Sequence, residues 1–275
     1  MTQTAASAAT TRTRPVHRAE VHFPRSVIPR PVMHLRGARS SNGTISVYSS
    51  GNWSGYVALP KGKSTTSFDY VQSTFTVPSV NCSDTDGEGY GTFAYHWVGL
   101  DGFSDGTVEQ DGAADFCEGG TAYYYIWWET YPGGFNTVDS VNPGDEITAY
   151  VYHDGSYYYL YVYDDTQGYG FDYAEPCQSG STCNDSSAEV ITEGYHTSGY
   201  WLGTSDYASE GFGAIQACNQ KPICAGLEYS KWSTAEIYAV GSVTDDVTSQ
   251  PGPLDNSAKP QSLESSFVNY YYGED

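Results

Sequence analysis

The side chains of this sequence that could carry out chemistry are carboxylates, amides and aromatics. A serine nucleophile needs a histidine base, and none of His96, His153 and His196 stands beside a Gly-x-Ser-x-Gly turn. The sequence also has no two Asp-Thr/Ser-Gly loops of the kind in which two aspartates share a proton. Its histidines and cysteines do not show the spacing of metal ligands, so we expect no metal and no other cofactor.

Acids, an amide and indoles recur together in a fixed order along the chain. The segments are 51–56 (GNWSGY), 96–102 (HWVGLDG), 108–112 (VEQDG), 127–132 (WWETYP) and 188–193 (AEVITE). Glu129 is the most unusual of these acids, because it follows two tryptophans and an acid among aromatic side chains is often functional.

In order and spacing these segments resemble the glutamic peptidases, also called eqolisins, over roughly residues 51–200. That family shows Asn-Trp-x-Gly, Trp-Val-Gly-Ile-Asp-Gly, Gln-x-Gly, Glu-x-Tyr-Pro and Ala-Glu-x-Ile-x-Glu in this order. The resemblance implies a β-sandwich, secreted as a proenzyme, that cuts polypeptides at acidic pH. It assigns the catalytic pair to Gln110 and Glu193.

The resemblance also implies which residues support that pair. They are Trp53, Trp97, Asp101, Glu129 and Tyr131. The sequence departs from the family pattern at two positions: Val190 replaces a tryptophan, and Asp115 lies one residue further from the Gln-x-Gly segment than the family's aspartate. Asp115 is therefore not assigned to the predicted site.

Peptide hydrolysis by water needs a base for the water, a donor for the oxyanion and an acid for the leaving amine. A glutamate can take the proton from water and later give it to nitrogen. A glutamine amide can position the water through its oxygen, and its NH₂ group can stabilise the oxyanion by roughly 3–4 kcal/mol. We therefore expect an acid-active endopeptidase that is insensitive to pepstatin, and polypeptides as its substrates.

Carbohydrate binding or glycoside hydrolysis remains an alternative. Glu129 and Glu193, on facing strands, would suit the acid pair of a retaining or inverting glycosidase, and an aromatic groove alone would bind a glycan. Glu189 and Glu193 are not each other's partner, since four strand residues separate them by about 13 Å. Gln110 discriminates between these functions, because only the peptidase needs it.

The body of the chain reads as short strands bounded by turn residues. The predicted strands are 53–59, 68–77, 92–100, 106–110, 121–131, 146–153, 157–164, 188–193, 198–202 and 235–243. We expect an all-β fold: a two-sheet antiparallel β-sandwich, concanavalin- or jelly-roll-like, with a substrate groove on one sheet. Around Asp154-Gly155 small apolar residues alternate with tyrosines, which form either an outer face or the wall of that groove.

Charge divides the chain into a basic arm and an acidic body. The net charge is −21, yet the first 50 residues contain seven arginines and one acid. A body this acidic excludes nucleic acid as a partner, and no apolar run of about 20 residues would span a membrane. We interpret residues 1–46 as an unstructured pro-segment that binds and inhibits the body; it lacks the apolar core of a signal peptide.

The six cysteines indicate an oxidising, extracellular location and a secreted protein. Cys177 and Cys183, like Cys218 and Cys224, flank short loops and are the favoured pairs, which leaves Cys82 for Cys117. Six cysteines allow 15 pairings, so spacing alone does not fix them. We expect a monomer with a peptidase domain at 47–245 and a partly disordered tail at 246–275, in which 267–272 forms a last strand or an adhesive end.

Overall fold

The computed structural model describes residues 39–41, 45–62, 67–83, 91–194, 196–197, 200–201, 204–219, 223–241, 246–255 and 264–273. These ranges contain strands and loops but no helix, and hence no helix suited to crossing a membrane. The strands are β1 (Arg39–Ser41), β2 (Ile45–Ser50), β3 (Trp53–Pro60), β4 (Phe68–Thr76), β5 (Thr92–Leu100), β6 (Val108–Glu118), β7 (Thr121–Tyr131), β8 (Asn136–Ser140), β9 (Glu146–His153), β10 (Tyr158–Asp164), β11 (Tyr169–Glu175), β12 (Ala188–Gly194), β13 (His196–Thr197), β14 (Tyr200–Trp201), β15 (Ser209–Asn219), β16 (Ile223–Ala225), β17 (Trp232–Val240), β18 (Val247–Pro251) and β19 (Ser265–Tyr271).

The strands form two layers. The front layer has the order β8-β7-β6-β5-β12-β3-β17-β2-β1. The back layer has the order β11-β10-β9-β4-β15-β19-β18. The predicted all-β class is confirmed.

The two layers are parts of one nearly closed sheet, which differs from the predicted pair of separate antiparallel sheets. β17 of the front layer pairs with β18 of the back layer, so hydrogen bonding continues from one to the other. At the opposite edge Trp128 of β7 packs against Tyr173 of β11. The β2–β17 pair is parallel, so the sheet is not purely antiparallel.

The main core lies between the layers and follows the predicted alternation. Ile147, Ala149 and Val151 of β9 and Leu160 and Val162 of β10 are completely buried in it. The tyrosines that alternate with them lie on the outer side of the back layer, and several are exposed. The tyrosines therefore form an outer face, which is the first of the two predicted alternatives.

A second apolar cluster covers the other side of the front layer. It contains Trp53, Trp97, Trp127, Ile191 and Tyr95, with further aromatic side chains packed at its rim. Burying both sides of the front layer explains why β5 and β12 are buried along their whole length, the two glutamates of β12 included.

Several predicted boundaries are corrected by the structure. β6 does not end at Gln110 but continues through Asp111-Gly112 to Glu118, because β5 and β7 pair with it on both sides. Five strands of five or more residues were not predicted: β2, β8, β11, β15 and β18. Of the predicted strand at 198–202, only 200–201 lies within the described residues.

Both predicted chain ends contribute strands to the sheet. The boundary at residue 46 falls inside β2, which pairs with β1 and β17. β19 pairs with β15 and β18, and Phe267 and Asn269 are buried. The tail is thus part of the domain at 265–271, in agreement with the last-strand alternative, whereas residues 1–38 lie outside the described residues.

Three disulfides are present, Cys82–Cys117, Cys177–Cys183 and Cys218–Cys224. They are the predicted pairs. Cys117 ends the buried part of β6, so the first bridge ties the loop after β4 to the front layer. The other two close short loops next to β12 and between β15 and β16.

Candidate active site

Strand register brings Gln110 and Glu193 to one side of the front layer. Glu189 of β12 lies opposite Gly99 of β5, which lies opposite Gln110 of β6, and Gln110 lies opposite Glu129 of β7. Paired residues point to the same side of a sheet, and so do residues two and four apart on a strand. Glu193 therefore points to the same side as Gln110 and Glu129, the side covered by the tryptophan cluster.

Glu129 orients the amide of Gln110. Gln110 Nε2 donates a hydrogen bond to Glu129 Oε2 at 2.9 Å, and both side chains are about 95% buried. Because a carboxylate oxygen accepts this bond, the NH₂ group must face Glu129 and Gln110 Oε1 must face away. Gln110 Oε1 is buried and has no hydrogen-bond partner in the part of the chain that the structure describes. It is therefore available to accept a hydrogen bond from a water or a substrate.

Two N–H donors hold the carboxyl group of Glu193. Asn52 Nδ2 donates to Oε1 at 2.8 Å, and Trp97 Nε1 donates to Oε2 at 3.1 Å. Burial and the neighbouring charge of Glu129 raise the pKa of Glu193 to about 8, against the lowering effect of the two donors. Burial likewise raises the pKa of Glu129 to about 7, although its bond from Gln110 lowers it. At acidic pH both carboxyl groups carry a proton.

Tryptophans surround this polar group and keep water from most of it. Trp53 and Trp97 are completely buried and meet edge to face, with ring centroids 5.1 Å apart. The Trp97 indole lies over Gly99, where a Cβ would be 2.8 Å from the ring. Tyr131, at the end of β7, packs at the rim of the same cluster. Their supporting role stays a prediction.

Asp101, another of the predicted supporting residues, bonds to the loop before β12. It follows β5 with a positive φ of 68°, and its carboxylate accepts three backbone N–H bonds, from Asn184 and Asp185 at 2.9 Å each and from Ser186 at 2.6 Å. These bonds fix the loop that leads into β12, the strand that carries Glu193. Asp101 therefore positions a strand.

Asp115 lies on the opposite side of β6 from Gln110, which agrees with its exclusion from the predicted site. An insertion of one residue reverses the side to which a strand residue points. Asp115 Oδ2 lies 2.8 Å from His96 Nε2 between the layers, and His96 Nδ1 pairs with Glu210. Burial would lower the pKa of His96, but Glu210 and Asp115 raise it to about 10.

Asn52 donates a hydrogen bond to the Glu193 side chain but was not among the predicted site residues. Asn52 belongs to the sequence segment 51–56, but only the tryptophan that follows it, Trp53, was predicted as a site residue. Its amide is fixed because Ser50 Oγ donates to Asn52 Oδ1 at 3.1 Å, which turns Nδ2 toward Glu193. A polar residue just before a buried strand in this segment was the available signal.

We expect Asn52→Ala to move the alkaline limb of kcat/KM upward by about one pH unit. Loss of the Nδ2 donor removes an interaction that lowers the pKa of Glu193, and a hydrogen bond to a charged group is worth about 1.5–3 kcal/mol. The measurement is the pH profile of peptide hydrolysis. Asn142→Ala is the control, since that amide bonds Asp145 in a turn away from the site. An unchanged limb would contradict the assignment.

Comparison with solved structures finds similar folds. Scytalido-glutamic peptidase with a transition state analog inhibitor has a TM-score of 0.63 at 17% identity, over 81% of this chain and 98% of that one. SCP-B, a member of the eqolisin family in a complex with the tripeptide Ala-Ile-His, has a TM-score of 0.61 at 17% identity, over 81% and 98%. Aspergilloglutamic peptidase from Aspergillus niger has a TM-score of 0.50 at 20% identity, over 66% and 99%.

Identities this low show a shared fold only, and a comparison with curated proteins gave no match. The family is shown by the sequence itself. The family model described as the Peptidase A4 family matches residues 51–251, which include β3 to β18 and every residue of the polar group described above. This chain belongs to the Peptidase A4 family, the eqolisins, and is a glutamic peptidase by membership.

Proposed function

We propose that the protein is a secreted acid endopeptidase in which Gln110 and Glu193 act on one water molecule. One observation carries the proposal most directly: Gln110 Oε1 is buried with no hydrogen-bond partner among the described residues, and two protonatable acids, Glu129 and Glu193, lie on the same side of the sheet. Three disulfides support an oxidising, extracellular location.

Glu193 enters the reaction protonated, as its raised pKa requires at acidic pH. Each of its oxygens accepts one hydrogen bond from the protein and keeps a second direction for a water or substrate. Gln110 Oε1 holds the water. As the water attacks the scissile carbonyl, one Glu193 oxygen takes a proton from it while the other gives its proton to the carbonyl oxygen. The carboxyl group stays neutral and a gem-diol forms.

Breakdown of the gem-diol reverses these roles. Glu193 gives its proton to the leaving nitrogen and takes one from a diol hydroxyl, so that a carboxylic acid and an amine leave and Glu193 is again protonated. The Gln110 NH₂ group has a second hydrogen beyond the one bonded to Glu129, which stabilises the charge on oxygen. Activity is lost as Glu193 ionises, so kcat/KM falls as the pH rises through about 8.

The test of this function is hydrolysis of casein at pH 3–4 with pepstatin present. Pepstatin-sensitive aspartic peptidases use a pair of aspartates, and no two aspartates were found in the sequence loops that would supply one. Cleavage of soluble β-glucan or chitin under the same conditions would instead support the glycosidase alternative, which Peptidase A4 membership does not favour.

We expect Gln110→Ala to lower kcat for casein or a peptide by about 10²–10³-fold, the size of the loss when one oxyanion donor is removed. The fold should persist, because the change removes one hydrogen bond and leaves a small cavity at the edge of the cluster. Steady-state kinetics with a fluorogenic peptide measures the effect.

Gln167→Ala is the matched control for this change. Gln167 lies in the turn after β10, where its amide bonds Asp145 at 3.3 Å, so its loss should leave kcat unchanged. Retained proteolysis in Gln110→Ala with a normal melting temperature would remove Gln110 from the mechanism.

A further inference from the structure

The outer side of the back layer carries a continuous surface of tyrosines. This tyrosine face consists of Tyr70, Tyr150, Tyr152, Tyr159, Tyr161 and Tyr163, on β4, β9 and β10. Tyr150 and Tyr161 stack at 4.5 Å, Tyr152 and Tyr159 at 5.8 Å. The rings are half-buried to exposed. They lie on the side of the back layer that faces away from the main core, and the polar group of Gln110 and Glu193 lies beyond the front layer.

Three exposed aspartates border the tyrosine face. Asp154, at the hairpin turn, accepts a bond from Tyr159 OH at 3.0 Å. Asp165, at the other end, accepts one from Thr148 Oγ1 at 2.6 Å. Asp172 of β11 lies opposite Tyr161. No lysine or arginine occurs between residues 64 and 220, so no basic residue of these strands neutralises the three charges.

Arginines and lysines occupy different parts of this chain. All seven arginines lie within residues 1–39, and all five lysines lie after residue 60. Residues 1–38 carry six of these arginines and a single acid, Glu20. Guanidinium groups stack on aromatic rings and pair with carboxylates in a way that ammonium groups do not. The arginine-rich arm therefore has side chains that can bind a surface of tyrosines and aspartates.

We propose that the tyrosine face is the docking site of the arginine-rich N-terminal arm, residues 1–38. The described chain begins at Arg39 in β1, an edge strand of the front layer. A 38-residue segment spans at most about 125 Å when extended, which is enough to reach around a domain of this size.

This docking site lies on the other layer from Gln110 and Glu193, so the arm would serve as a tether on the body rather than as the predicted inhibitor. The active-site acids are poor partners for arginine, because they are buried among indoles and carry protons at acidic pH. The aspartates around the tyrosine face are exposed, and backbone hydrogen bonds from Tyr157 and Ser156 lower the pKa of Asp154. Docking should weaken in strong acid and in high salt.

Photo-cross-linking on the full chain tests the proposal. A benzophenone amino acid is placed at Val16 or Val27, between arginines of the arm, in a Gln110→Ala background that limits self-cleavage. Intact mass confirms that the arm is still attached. At pH 7 we expect cross-links to peptides within 146–164, and about tenfold fewer after Asp154→Asn, Asp165→Asn and Asp172→Asn are combined. Replacement of the six arginines by lysine should also reduce them, since stacking is lost while charge is kept.

Glu118→Gln with Asp139→Asn is the control, because these acids lie on β6 and β8 of the front layer. This pair should leave the cross-links unchanged. Cross-links to β5, β6 or β12, an even spread over the surface, or equal loss in both sets of variants would overturn the proposal. The proposal would also fail if a soluble β-glucan protected Tyr152 from chemical modification while no arm cross-link formed. The tyrosine face would then be a polysaccharide site. Each readout is independent of whether the Gln110 and Glu193 pair hydrolyses peptides.

Discussion

Glu193→Gln is expected to lower kcat by about 10³–10⁴-fold, the upper range for loss of an acid–base group. The proposed cycle moves two protons through the carboxyl group of Glu193, and an amide can carry neither. The substitution has the same size, and Gln Oε1 can still accept from Asn52 or Trp97, so the side chain should stay in place. Single-turnover kinetics at pH 4 and a melting curve measure the two effects.

The matched control is Glu118→Gln, at the exposed end of β6. It removes a carboxyl group from the same layer without touching the tryptophan cluster, so kcat should not change. An activity within tenfold of the parent protein in Glu193→Gln would exclude Glu193 as the acid–base group. Inactivity with a melting temperature that has fallen steeply would require Glu193→Asp to separate folding from chemistry.

A strand can be predicted from the sequence when apolar and polar residues alternate clearly along it. The hairpin of β9 and β10 was predicted within one residue, because its apolar residues alternate with tyrosines around an Asp-Gly turn. β15 was missed because Gly211 and Gly213 interrupt it and a bulge puts Ala214 at a φ of 49°. That strand exists because β4 and β19 pair with it on either side, which is a long-range effect.

The candidate site, too, was partly predictable from the sequence and partly dependent on long-range contacts. Motif order selected Gln110, Glu129 and Glu193, and strand register brings all three to one side of the layer. The early end predicted for β6 arose because Asp-Gly usually marks a turn. Here Gly112 serves close packing, since a Cβ would lie 2.0 Å from the carbonyl oxygen of His96. Asn52 escaped notice because only the folded chain shows which carboxyl group its amide reaches.

Buried acids are unusually frequent in this protein, and they connect its chemistry to its stability. The pKa is raised by burial, the leading cause in every case, for Asp101, Glu109, Asp111, Glu129, Glu189 and Glu193. Burial and the charges of Asp101 and Asp185 bring the pKa of Glu109 to about 9. Glu189 is completely buried, and burial raises its pKa against the lowering effect of a hydrogen bond with Ser187. Each group is tolerated inside the fold because it is protonated.

The protein should therefore be more stable at pH 4.5 than at pH 7.5, with a melting temperature higher by about 10 °C. An acid whose folded pKa is raised stays protonated in the native state while the unfolded chain ionises above about pH 4.5. Stability then falls as the pH rises from the unfolded pKa to the folded pKa of each such group. His96 acts in the same direction above about pH 6.5, because its pKa is also raised.

Thermal unfolding of the Gln110→Ala protein from pH 4 to pH 8 measures this dependence without self-digestion. Glu109→Gln should flatten the curve between pH 4.5 and 8, since it removes one group whose native state must keep a proton, whereas Glu118→Gln, exposed on the same strand, should not. A melting temperature that rises steadily over this range would mean that the interior acids are ionised in the native state. Protonated Glu193 as the starting form of the reaction would then be untenable too, because the same burial raises its pKa.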